Sequence, residues 1–233
     1  LRPMLELRNI VKHWQAPGAA PRVLLDGLHL QVDSGETVAI LGPSGSGKST
    51  LLKLIAAIER PTSGTVLIAN QNISQLKAAA IPYMRRRFGL IFQDHKLLYD
   101  RNCFENVILP LHINGITGLD AAKRVRAALD KVGLLHKEKA MPITLSGGEQ
   151  QRLAIARAVV SRPSILIADE PTGNLDSSYA ADIMGIFQDF NQVGVTVIVA
   201  THDARGMSAT QNRVLHLDHG RLTVSNSAES VNA

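Results

Sequence analysis

The chain has 233 residues, 45% of them hydrophobic, with a net charge of +5 at neutral pH and a pI near 9.6. That size suits one large domain, or one core with a subdomain inserted into it. No run approaches the ~18–20 apolar residues that span a bilayer, residues 1–9 contain no signal-peptide apolar stretch, and the single cysteine, Cys103, excludes an internal disulfide. The expectation is a cytosolic protein that reaches a membrane only through a partner. Lysine and arginine are dispersed. Their densest cluster, Arg85-Arg86-Arg87, reads as a solvated helix end, or as a face near anionic lipid headgroups or a partner's acidic loop.

In chain order, residues 5–11 and 23–32 pattern as strands, and Asp33-Ser34-Gly35-Glu36 as a turn. Residues 37–41 form a short buried strand, followed by a glycine-rich loop and a helix predicted over 48–59. Arg60-Pro61-Thr62-Ser63-Gly64 stops that helix. Strands follow at 66–69 and 88–92. From residue 97 the pattern turns helical: Val125, Leu129 and Val132 recur at helical spacing, and Gly133 suits a helix C-terminus. A second helical stretch covers 145–160. Strand and helix then alternate again, with strands at 165–168 and 195–200 around a helix over 177–192. A hairpin over 213–217 and 221–224 comes last. Residues 226–233 read as a small, polar, flexible tail. This organisation is a single domain over 1–225, with a core of 1–96 and 161–225 and a helical subdomain of 97–160.

Three segments carry chemistry. Gly42-Pro43-Ser44-Gly45-Ser46-Gly47-Lys48-Ser49 fits G-x-x-x-x-G-K-[ST] between a strand and a helix. Its backbone N–H groups can close around phosphate oxygens, the helix N-terminus favours an anion, Lys48 reaches the β- and γ-phosphates, and the Ser49 hydroxyl suits Mg²⁺. Second, Ile165-Leu166-Ile167-Ala168 runs into Asp169-Glu170. Neighbouring residues of a strand point to opposite sides, so Asp169 suits the Mg²⁺ shell and Glu170 suits polarisation of an attacking water. Third, Leu145-Ser146-Gly147-Gly148-Glu149-Gln150 opens a helix: Ser146 is an N-cap, and the glycines allow close approach to an anion. The same residues fit the capping box S-x-x-E, and both readings can hold. Two phosphate-binding helix starts in one chain suggest two chains related by a two-fold axis, each clamping the other's nucleotide.

Together these motifs resemble the ABC-transporter nucleotide-binding domain over nearly the whole chain. The resemblance implies a P-loop α/β core, with a parallel sheet, an antiparallel β subdomain and an inserted helical subdomain, that hydrolyses ATP with Mg²⁺ as a homodimer. It implies that Trp14 stacks on adenine and that the phosphate loop runs from Gly42 to Thr50. Gln93 would touch Mg²⁺ or water and sense a membrane partner. Ser146, Gly147 and Gly148 would meet the γ-phosphate across the dimer. Asp169 and Glu170 would be metal ligand and general base. Gly173-Asn174-Leu175-Asp176 would cross the dimer interface, and His202 would contact the γ-phosphate. His13, His29, His112, His136, His216 and His219 show no metal spacing.

The tract Gly89-Leu90-Ile91-Phe92-Gln93-Asp94-His95-Lys96-Leu97-Leu98, with Asp100-Arg101, Asn106-Val107 and Leu109-Pro110-Leu111, is similar to the FtsE branch of that family, as is Glu59-Arg60-Pro61-Thr62-Ser63-Gly64. This branch implies an FtsX-type membrane partner docking on the helical subdomain, and a place on the inner face of the bacterial plasma membrane at the division site. It would not imply a transported solute. The lipoprotein-release ATPase LolD and the cytoplasmic domain of macrolide exporters share most of these motifs. A DNA-maintenance ATPase of the same superfamily suits the basic pI, but no long heptad segment interrupts the motifs.

Overall fold

Short apolar runs bounded by turn residues are the mark of strands buried on both faces, and such runs build the larger of two sheets. The computed structural model describes residues 3–173, 175, 177–202 and 213–224. Strands β1 (Pro3–Trp14), β2 (Arg22–Asp33), β4 (Ser63–Ile68) and β5 (Gln71–Asn72) make an antiparallel sheet in the order β2-β1-β4-β5. Strands β3 (Thr37–Leu41), β6 (Phe88–Ile91), β7 (Ile165–Asp169), β8 (Thr196–Thr201), β9 (Arg213–Asp218) and β10 (Arg221–Val224) make the second, in the order β10-β9-β3-β8-β7-β6. It is parallel throughout except for the β9–β10 hairpin.

Side-chain alternation along the central strands divides the interior in two. Ile165 and Ile167 of β7, with Ile198 and Ala200 of β8, join a core with α1 (Lys48–Ile55) and the antiparallel sheet. Leu166 and Ala168, with Val197 and Val199, face the other way. They meet α3 (Cys103–Ile113), α4 (Gly118–Lys131), α5 (Gly147–Val159) and α6 (Ser177–Gln192) through Val107, Leu129, Ile155 and Phe187. Val125, Leu129 and Val132 are buried as their spacing predicts. Gly133 closes α4 at φ 72, with Leu134 N–H returning to the Leu129 carbonyl. The remaining helix is α2 (Ile81–Arg85). None of the helices among the described residues is long and apolar enough to cross a membrane.

The first helix is shorter than predicted, ending at Ile55 rather than residue 59. Ala57 takes the left-handed conformation at φ 54, its N–H bonds the Leu54 carbonyl at 3.2 Å, and Ile58 N–H bonds the Lys53 carbonyl at 2.8 Å. This paired closure usually carries glycine at that position; with alanine there, the sequence gives no warning of it. The arginine cluster is the exposed end of α2, as its charge predicts. Arg85 donates to the Ala57 carbonyl, while Arg86 donates to the Ile113 carbonyl and lies over the Tyr83 ring.

Candidate active site

Four neighbouring parallel strands, in the spatial order β3-β8-β7-β6, each deliver one chemical group at the C-terminal edge of the sheet. The phosphate loop follows β3, His202 follows β8, Asp169 ends β7 with Glu170 after it, and Gln93 lies two residues beyond β6. Ligands of open α/β sheets bind at this edge. Lys48, Ser49, Thr50, Gln93, Glu170 and His202 line one cleft of about 830 Å³, and the wall opposite the sheet carries Lys12 and Trp14 from β1. The Trp14 ring is more than half exposed, so a face is free for stacking.

Residues 42–47 turn back on themselves before α1. Gly47 sits at φ 102, a conformation costly for any side chain, with Leu25 and the Leu24 carbonyl against it. The turn brings the first N–H groups of α1 to the cleft, where they and the helix dipole favour an anion. Lys48 is 6% exposed. Its ammonium donates to the Gly42 carbonyl at 2.7 Å and the Pro43 carbonyl at 3.0 Å, with Glu170 Oε1 at 3.8 Å.

The two carboxylates part as strand alternation requires. Asp169 has the parity of Ile165 and Ile167 and faces α1, on the side where Ser49 lies. Burial pushes its carboxyl above the ordinary aspartate value; the Ser49 hydroxyl opposes that shift and the neighbouring Glu170 charge adds to it. Asp169 Oδ1 is buried without a hydrogen-bond partner. An orphaned carboxylate oxygen beside a hydroxyl is an all-oxygen donor set of the kind that suits Mg²⁺. Glu170 leaves the strand at φ 48, a left-handed conformation for a non-glycine residue. It is anchored through its own N–H to the Ala200 carbonyl. Its Oε2 accepts from the Thr201 hydroxyl at 3.1 Å and the His202 N–H at 3.3 Å, and lies 2.9 Å from His202 Nδ1.

Ser146 caps α5 in a reciprocal box: its hydroxyl accepts from Glu149 N–H, and the Glu149 carboxylate accepts from Ser146 N–H. Gly148 leaves room for the Tyr179 ring, which a Cβ would meet at 3.2 Å. Among the described residues lining the cleft, none comes from the Ser146-Gly147-Gly148 segment. Of the interface segment read from the sequence, Asn174 and Asp176 lie outside the described residues, as do Asp203 and the tail.

Residues 25–173 match the ABC transporter family. The chain belongs to that family. The cell division ATP-binding protein FtsE of Escherichia coli is 52% identical over 86% of this chain and 90% of its own length. FtsE of Mycobacterium tuberculosis is 42% identical over 94% of each chain. Among solved structures, the dimeric bacterial ABC transporter cassette MJ0796 superposes with a TM-score of 0.88 at 36% identity, covering 94% of this chain and 96% of that one. A dimeric post-hydrolysis state of the same cassette bound to ADP and Pi superposes at 0.89 and 35% identity, over 95% and 98%.

This ABC cassette also holds a support layer that the sequence reading did not reach. After Gln93 the chain places His95 and Lys96 in succession in the left-handed region, at φ 58 and 48. Arg157 of α5 holds this turn, donating to the His95 carbonyl at 2.6 Å and the Lys96 carbonyl at 2.7 Å. Burial lowers the basicity of the His95 ring, against hydrogen bonds to Gln150 and Gln151 that raise it. Asn106 is fully buried: it accepts from Leu98 N–H and donates to the carbonyls of Leu98, Arg101 and Asn102. A second capping box, Asn102 with Glu105, starts α3. The Asn106 contacts are local, whereas those of Arg157 join it to residues 61 and 62 positions away.

Proposed function

We propose that this chain is the ATP-binding and hydrolysing subunit of an ABC-type complex acting in bacterial cell division. Supporting this is one observation above others: four adjacent strands bring a phosphate loop, an exposed histidine, the Glu170 carboxylate and a glutamine to a single cleft that Trp14 also lines. ATP would lie with its base on Trp14 and its phosphates over Gly42 to Thr50, Lys48 compensating their charge. Ser49, Asp169 and Gln93 would hold Mg²⁺, which would supply charge neutralisation at the phosphates.

Glu170 orients a water whose oxygen attacks the γ-phosphorus and takes up its proton as the P–O bond to the β-phosphate breaks, giving ADP and phosphate. His202, held against Glu170, contacts the γ-phosphate as its charge redistributes. Ser146, Gly147 and Gly148 serve the nucleotide of a second copy, so ATP joins two chains and hydrolysis parts them. Asp176 lies at that interface.

The helical subdomain, 97–160 within a single domain of 1–225, receives an FtsX-type membrane protein through residues 97–140, which keeps the chain on the inner face of the membrane at the division site. The test is depletion in the native cell, with division and outer-membrane lipoprotein location followed together. Filaments with stalled septa and correctly placed lipoproteins support the proposal. Normal division with stranded lipoproteins overturns the division role while leaving the ATPase assignment standing.

A further inference from the structure

The wall of the cleft that carries Trp14 is tied to the phosphate-loop helix by an ion pair with no assigned task. Lys12, two residues before Trp14, points its ammonium into the turn after α1. It donates to the Arg60 carbonyl at 2.8 Å and lies 3.2 Å from Glu59 Oε2. Glu59 Oε1 is 3.5 Å from Lys53, on α1 itself. Two backbone ties run alongside: His13 N–H donates to the Thr62 hydroxyl at 2.9 Å, and Thr62 N–H to the Val11 carbonyl at 2.8 Å. Lys12, Lys53 and Glu59 all line the cleft together with Trp14 and the phosphate loop.

The local backbone explains why Glu59 is there. The left-handed Ala57 ends α1 early and turns the chain back, so that both Ile58 and Glu59 N–H groups reach the Lys53 carbonyl. A helix continuing to residue 59 would carry that carboxylate away from β1. On the other side, β1 loses regular register with β2 between Ile10 and Lys12 and again between Lys12 and His13. The strand end bearing Trp14 is therefore not fixed by an unbroken ladder, and the Lys12–Glu59 pair adds to the Val11, His13 and Thr62 ties in holding it near α1. Lys12 is 18% exposed and Glu59 36%; pairs at this exposure add little to stability, so their placement on the cleft wall asks for another reason.

We infer that Lys12 and Glu59 act as a positioning pair that sets the separation between the base-stacking Trp14 and the phosphate loop, and so the affinity for the base-bearing part of the nucleotide. The inference rests on the ATP site proposed above. Neither residue touches a reacting atom; both act through Trp14.

The test uses the full chain with Mg²⁺ and ATP, comparing wild type, Lys12→Met, Glu59→Gln, the double variant and Lys12→Arg. Each single variant is expected to raise KM by about three- to tenfold, part of what a base–aromatic stack contributes, with kcat kept within about twofold. The double variant should be no worse than either single one, because both break the same link. Lys12→Arg, which can keep both contacts, should restore KM. Inhibition by inorganic tripolyphosphate, which has phosphates and no base, should be unchanged throughout.

Tripolyphosphate inhibition weakened as much as ATP by Lys12→Met would overturn the inference, showing that Lys12 acts on phosphate charge directly. So would a lowered KM in Glu59→Gln, or an unchanged KM in both single variants. Should Lys12→Met fail to fold, Glu59→Gln and Lys12→Arg decide alone. A wild-type chain without ATP turnover sinks the proposed function and this inference with it. Active wild type with indifferent variants sinks the pair only.

Discussion

Glu170 Oε2 and His202 Nδ1 lie 2.9 Å apart, and the carboxylate in that pair is 10% exposed while the imidazole is 61% exposed. One oxygen thus takes the Thr201 hydroxyl, the His202 amide and the ring, leaving Oε1 toward Lys48. If Glu170 is the general base proposed above, these contacts orient it before substrate arrives. Glu170→Gln preserves the shape and removes the charge. Turnover should fall by about 10²-fold or more, the usual contribution of a general base, with ATP still bound and the chain accumulating as a dimer in size-exclusion chromatography. Wild-type turnover in this variant would remove Glu170 from its role.

His202→Ala separates chemistry from binding. The ring approaches the cleft from outside the sheet and adds little buried area, so nucleotide affinity should hold within about twofold. Losing a preorganised group at the γ-phosphate should lower kcat by about 10²-fold. Steady-state kinetics decide the matter: a large KM change with intact kcat would make His202 a binding residue.

Arg157→Lys tests the layer beneath the site. A guanidinium fork reaches the carbonyls of His95 and Lys96 together, and an ammonium does not reproduce that geometry. The variant should lose about 0.5–1.5 kcal/mol of stability, the net worth of an ordinary hydrogen bond. Hydrogen exchange should quicken specifically over residues 93–98. Unchanged protection there would mean that the left-handed turn holds itself.

Glu149→Gln addresses pH. The Lys137 ammonium, then the Ser146 N–H, hold the Glu149 carboxyl below the ordinary glutamate value. A carboxyl with a depressed folded-state value contributes stability above its unfolded value of 4.5, and that stability is lost as pH falls through the depressed one. The variant keeps an oxygen for the cap and loses the charge. It should therefore be less stable than wild type at neutral pH, by about 0.5–1 kcal/mol, and the gap should close as pH drops below 4.5. Thermal unfolding at neutral and acid pH measures it; a gap that widens on acidification would contradict the assignment.

Much of the site could be read from the sequence because its chemistry is local. The phosphate loop and Asp169-Glu170 each occupy a few consecutive residues, and Ile165 to Ala168 announces a buried strand by composition alone. What escaped was set by contacts between distant segments or by atypical residues in standard places. Ala57 closes a helix where glycine is usual. Lys12 meets Glu59 across 47 positions, and Arg157 meets His95 across 62. Neither residue of such a pair signals the other. Arg85 and Arg86 are exposed as their run of charge suggested, and from the surface their guanidinium groups also reach backbone carbonyls.

The order of the strands has a consequence for how the protein is made. In space the sequence of groups is phosphate loop, histidine, carboxylates, glutamine; along the chain the histidine strand comes last of the four. Until β8 is synthesised and inserted between β3 and β7, the phosphate loop and the carboxylates sit on strands with no hydrogen bond between them. A nascent chain emerging from the ribosome can therefore form the loop, the first helix and the whole of α3 to α5 without owning a complete nucleotide site. The complete set of four groups is assembled only when β8 is in place, so a nucleotide that engages all of them stabilises the finished protein more than any shorter precursor.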